Sequence, residues 1–174
     1  MNVVIQSQER KSLALVVTPE CVEVRVPQQL DPAGERVQQF IANGLARLPK
    51  DLELERERPY QTAEIQTKID TWAEKLGVTV NRVQIRPMRR KWGSMSSQAN
   101  LTLADDVRNL PEPLLEYVIV HELVHLWCAN HGGEYTAVLG AHLSDWQERE
   151  LSLAVWMLHK LQRVDIEVNL ERTD

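Results

Sequence analysis

A carboxylate and two imidazoles inside an apolar helical run constrain this chain more than any other feature. Val118 to Tyr135 reads VIVHELVHLWCANHGGEY. Val118, Ile119, Val120, Leu123, Val124, Leu126 and Trp127 mark a buried helix, yet His121, Glu122 and His125 stand among them. Buried ionisable groups need partners. His121 and His125 are four residues apart, so on a helix they share one face, one turn apart. Two neutral imidazoles at that spacing can bind one Zn²⁺ at ~2.0–2.1 Å. Glu122 follows the first of them, about 100° around the helix, where it can take a proton from water beside such an ion.

The third histidine requires the helix to stop. His131 lies six residues beyond His125, about 600° on a continued helix, so its ring would point away. It reaches the same ion only if the helix ends between them. Asn130 tolerates the left-handed conformation, and Gly132 and Gly133 follow at once. The expected ligands are therefore His121, His125 and His131, with Glu122 as catalytic acid/base and Zn²⁺ as the cofactor. An HExxH motif with this further histidine has the metzincin spacing, but Cys128 stands where that pattern has a turn glycine. No methionine turn follows, because Met157 reads as part of the last helix. Cys128, three residues after His125, is aimed elsewhere by the turn and is disfavoured as a fourth ligand. Glu148 and Glu150, the other acidic candidates, read as the exposed face of the last helix, His142 as a helix-end residue and His159 as a surface one.

The rest of the chain divides into a β-rich start and a helical remainder. Its 174 residues, 43% hydrophobic, suit one domain with a sizeable core. Val22, Val24 and Val26 alternate with Glu23 and Arg25, the period of a strand. Ser12 to Val17 is its partner across a turn at Thr18-Pro19-Glu20. Glu35 to Leu48 reads as a helix with Val37, Phe40, Ile41 and Leu45 on one face; Arg56 to Leu76 reads as a second, with Ile65, Ile69, Trp72 and Leu76, stopped by Gly77. Val83 to Pro87 and Leu101 to Leu103 are short extended runs around a turn-rich loop, RRKWGSMSSQ. A helix starting near Pro111 or Pro113 carries the opening motif, and Ser144 with Gln147 forms a capping box for a last helix to about Leu161. No apolar run approaches the roughly 20 residues of a membrane span, and the N-terminus has no signal-peptide pattern. Cys21 and Cys128 read as reduced thiols of a cytoplasmic protein.

Three blocks carry a closer resemblance. WGSMSSQANLTL, LPEPLLEYVIVHELVHLWCANHGGEY and HLSDWQERE together resemble the YgjP-like zinc metallopeptidases, strongly over residues 80–155. The resemblance implies an α+β, zincin-like minimal metallopeptidase domain spanning 1–174. Residues 1–50 would form a β-rich start plus helix, and 51–174 the core with HExxH in its helical C-terminal half. It also implies His121, His125 and His131 as zinc ligands and Glu122 as acid/base. More distant kin are the SprT-like and WLM-type proteases, some acting on DNA–protein crosslinks. The chain departs from the family in having Met95 for Cys, Gly132 for Ser, and Tyr135-Thr136 for Phe-Trp. Tyr135 can donate a hydroxyl to an oxyanion, but the apolar aromatic of the family favours core packing.

Peptide hydrolysis is the reading these observations favour, with a peptide or protein as substrate. An extended peptide is expected to pair with the strand Asn100 to Leu103. Zinc-dependent hydrolysis of a non-peptide amide uses the same chemistry and is the alternative enzyme reading. A non-catalytic zinc module, associated with nucleic acid, is the alternative from another class; Glu122 argues against it, since a structural site needs no carboxylate there. Nucleic-acid contact would fall to Arg82, Arg86, Arg89, Arg90 and Lys91, with Trp92 stacking on a base. A net charge of −5 disfavours a general polyanion binder.

Overall fold

The computed structural model describes residues 3–18, 21–46 and 58–170, with the backbone alone at 159 and 162–170. It has mixed α+β architecture, with two three-stranded sheets and five helices among the described residues. The chain divides into two compact units, 1–51 with 151–174, and 52–150.

In the first unit the alternating valines form strand β3 (Val22–Pro27), the centre of a sheet ordered β1-β3-β2. β2 (Ala14–Val17) pairs antiparallel with β3, as expected of a hairpin. Pro19 and Glu20 of the expected turn lie outside the described residues, but Thr18 and Cys21 close it, the Thr18 Oγ1 hydroxyl donating to the Cys21 carbonyl at 2.8 Å. β1 (Val3–Gln8) pairs parallel to β3. Helix α1 (Glu35–Ala46) lays Val37 and Ile41 on Val24 and Val26, with Phe40 and Leu45 beside them, the face its periodicity marks.

In the second unit, α2 (Thr62–Leu76) buries Ile65, Ile69, Trp72 and Leu76. It starts six residues later than expected from Arg56. Pro59 disfavours helical backbone in the residue before it, and Gln61 with Glu64 forms a capping box. Gly77 ends the helix in the left-handed conformation (φ 65°), its N–H donating to the Glu74 carbonyl at 3.0 Å. The second sheet has the order β4-β6-β5: β4 (Arg82–Arg86), β5 (Gly93–Met95) and β6 (Asn100–Ala104). β6 pairs parallel with β4 and antiparallel with β5. It is therefore saturated on both sides. The expectation that Asn100 to Leu103 receives a peptide is overturned, and the outer strand beyond β6 is β5, inside the segment expected to be a loop. Leu101 and Leu103 are fully buried on one face, while Gln84, Thr102 and Ser94 line up across the other.

After a 3₁₀ turn over Asp105–Asn109, α3 (Glu112–Val124) starts behind Pro111. It is buried nearly all round, against α2, β5 and α4 (Gly133–His142), a helix the sequence reading lacked. α5 (Trp146–Leu170) begins with Asp145, not Ser144, before its first residue, and runs past Leu161. No helix among the described residues is long and apolar enough to cross a membrane.

Candidate metal centre and active site

α3 is the rigid frame of the site. Its apolar residues fix it in the core, so side chains on its remaining face hold their positions. Tyr117, His121 and His125 succeed one another at four-residue intervals along that face. The regular helix ends at Val124, and tight turns follow: Leu126 N–H donates to Leu123 carbonyl at 3.0 Å and Trp127 N–H to Val124 carbonyl at 2.9 Å. This early ending corrects the reading of Trp127 as a buried helix residue, since it is 62% exposed.

The turn brings His131 back without using the left-handed conformation that Asn130 tolerates. Positive φ angles occur among the described residues only at Gly77 and Ala99. The reversal comes instead from the tight turns after Val124 and from Gly132, extended at φ −82° and ψ −171° as the residue before α4.

The three expected ligands converge. One candidate ligand nitrogen from each of His121, His125 and His131 lies within 4.8 Å of the other two. Nε2 of His131 is 3.1 Å from Nε2 of His121. Two nitrogens on one tetrahedral zinc ion would be separated by about 3.3 Å, so the rings already hold nearly that spacing. His125 Nδ1 is 3.2 Å from the Cys128 carbonyl; donating there leaves its Nε2 lone pair for an ion. His121 Nδ1 is buried without a hydrogen-bond partner. Burial and the neighbouring His125 and His131 push His121 down to about 4, and burial lowers His125 too. Both are thus neutral near pH 7, as ligation requires. The donor set fits a divalent, borderline-soft ion, with at least one coordination position left open.

Glu122 is 7% exposed. Burial pushes its carboxyl up to about 7, against the Met95 N–H, which donates to it, and the positive Lys91. A cation held by the three imidazoles would draw it back toward the carboxylate. The carboxyl also lies against Gly93: a Cβ built there would stand 2.7 Å from Glu122 Cγ and 2.8 Å from its Oε1. Strand β5 therefore clasps the acid with its backbone, using a glycine for proximity and an amide for orientation. Sequence reasoning missed both residues because GSM carries no strand periodicity. The departure Met95 leaves this contact intact, since the backbone makes it.

Tyr135 packs as the sequence favours. It is 2% exposed, and its ring centroid lies 5.4, 5.1 and 4.6 Å from those of His121, His125 and His131. Its hydroxyl donates to the His121 carbonyl at 3.1 Å, tying α4 to α3. That is the packing role, with the hydroxyl added; burial raises its pKa well above the ordinary value, so it stays a phenol. Tyr117, against His121 at 5.6 Å between centroids, bonds Glu150. Cys128 is buried outside the nitrogen cluster, and both cysteines are free thiols. His142 ends α4, exposed, while the side chain of His159 lies outside the described residues.

The model of the YgjP-like metallopeptidase domain matches residues 55–155, more than half of the chain. This chain belongs to the YgjP-like metallopeptidase family. As a member of that family it is a metallopeptidase, and the cluster of three histidines can hold the metal ion that the family implies. Two similar solved structures are metallopeptidase zymogens. Jannalysin of Methanocaldococcus jannaschii is 30% identical, with 52% of this chain and 92% of that one covered, at a TM-score of 0.46. Abylysin of Pyrococcus abyssi is 24% identical, with 56% and 95% covered, at 0.48. No curated protein sequence matches the chain.

Proposed function

We propose that this YgjP-like protein is a zinc-dependent peptidase in which His121, His125 and His131 hold the ion and Glu122 is the general base. One observation carries the reading: a buried carboxyl, gripped by an edge strand, stands next in sequence to one of three converging imidazoles. A structural site has no use for that acid.

When bound, zinc supplies Lewis acidity toward water and toward a carbonyl oxygen. The three imidazoles hold it as neutral donors. An extended peptide lies along the outer strand β5, using backbone groups other than the Met95 N–H, with a scissile carbonyl beside Glu122. Glu122 removes a proton from the attacking water and returns it to the leaving amine. The Met95 N–H keeps the carboxylate in place between these two transfers, and the burial of Glu122 limits competing water around the acid.

Glu122→Gln tests this. It keeps shape and leaves the imidazoles in place, so metal content should stay at wild-type level while peptide cleavage falls by about three orders of magnitude or more. Cleavage at the wild-type rate would remove Glu122 from the chemistry.

A further inference from the structure

We propose that the positively charged end of the second sheet selects polypeptide substrates bearing acidic side chains beside the scissile bond. The inference rests on the peptidase reading and adds a substrate class to it.

Lys75 to Ala104 holds six lysines and arginines and no aspartate or glutamate, in a chain whose net charge is −5. The fold gathers most of that charge at one place. Arg86, the last residue of β4, is in register with Ala104 of β6. The Ala104 N–H donates to the Trp92 carbonyl at 2.8 Å, and Gly93 opens β5 opposite Leu103. Arg86, Arg89, Arg90 and Lys91 therefore cluster at the sheet end where β5 begins, all four exposed. That is also the end where Gly93 touches Glu122, and Lys91 is near enough to act on the Glu122 carboxyl. A peptide added to the β5 edge would run past these cations as it passes the catalytic acid. The sheet face nearby is polar, with Gln84, Thr102 and Ser94 across its three strands, so the matching partner is polar and anionic.

Two observations favour a peptide over a nucleic acid. Trp92, the aromatic of this segment, is 9% exposed and presents no stacking face for a base. The chain outside the segment is strongly acidic and repels a long polyanion, whereas a peptide with a few carboxylates meets only the local positive field. Lys91 and Arg90, which lead directly into β5, supply most of the selectivity. Arg86 acts across the sheet and is screened first.

Binding can be read without turnover. Two fluorescein-labelled peptides, identical except for three glutamates or three glutamines on one side of the central bond, are titrated by anisotropy onto metal-loaded Glu122→Gln protein. At about 0.05 M salt the acidic peptide should bind about tenfold tighter, and the gap should shrink to about twofold at ~0.3 M. Arg86→Gln/Arg90→Gln/Lys91→Gln should bring the two affinities together, and Arg90→Glu/Lys91→Glu should favour a lysine-bearing peptide. The salt series needs no charge substitution, so a poorly folding triple variant leaves the test intact. Equal affinity for both peptides at low salt, or no binding of either, would overturn the proposal. So would a single-stranded oligonucleotide of equal charge binding more tightly than the acidic peptide and being lost from the triple variant. Metal-loaded wild type that binds the acidic peptide preferentially but cleaves neither would sink the peptidase reading and leave the selectivity standing.

Discussion

Gly93→Ala should separate the placing of the catalytic acid from the binding of the metal. Carbon atoms in ordinary contact stand about 3.5–4.0 Å apart. A Cβ at position 93 would stand 2.7 Å from Glu122 Cγ and 3.0 Å from its Cδ. Something must yield by about 0.8 Å or more. The backbone of β5 is pinned by its pairing to β6, whereas the Glu122 side chain can rotate. The carboxyl therefore gives way and leaves the Met95 N–H. A displacement near 1 Å of a reacting group costs on the order of 100-fold. We expect kcat on a cleavable peptide to fall by about that factor, with KM changed far less. Metal content should stay at wild-type level, because no imidazole is among the three atoms nearest the added methyl. Stability should fall by only about 1–3 kcal/mol, the usual cost of overpacking. Steady-state kinetics, elemental analysis and thermal melting of the same preparation check all three. A kcat within about threefold of wild type would refute the reasoning; loss of the metal along with activity would show that the whole site collapses.

Other substitutions probe the remaining parts. His131→Ala leaves two ring nitrogens on α3 and should lower zinc content well below the about one ion per chain expected of wild type, measured after dialysis against a weak chelator. Tyr135→Phe removes the hydroxyl that reaches the His121 carbonyl and should cost about 1 kcal/mol in denaturant unfolding while zinc is retained. Gly77→Ala meets no steric obstacle but keeps a left-handed φ, so it should destabilise by about 1 kcal/mol and leave activity untouched.

Much of this site was legible because two of its ligands obey helical periodicity. His121 and His125 are bound to share a face wherever their helix goes, and the burial of Val118 to Val124 follows from composition alone. His131 was legible as a requirement, that the helix must end, but not in its means: local tight turns and an extended Gly132 do it, with no left-handed residue. Ile65, Ile69, Trp72 and Leu76 were likewise readable from spacing. What could not be read was β5. Gly93, Ser94 and Met95 have little strand preference, and their extended state comes from pairing with Leu103, Thr102 and Leu101. The misplacement of the peptide-receiving edge on β6 follows directly, because an edge is a property of sheet order. Trp127 shows the opposite error, an apolar residue assigned to the core when its helix had already finished.

The connection from His125 to His131 also acts as a ruler. Tight turns carry the chain from the end of α3 to Cys128, the Gly132 N–H donates to the Asn130 carbonyl at 2.8 Å, and Tyr135 then pins α4 to the carbonyl of His121. A surface loop commonly absorbs an inserted or deleted residue at small cost. Here one residue more or less would turn the His131 ring off the site while the helices on either side stayed folded. Substitutions at the exposed positions Ala129 and Asn130 should be tolerated where changes of length are not. Drift in this segment is therefore open to composition and closed to length.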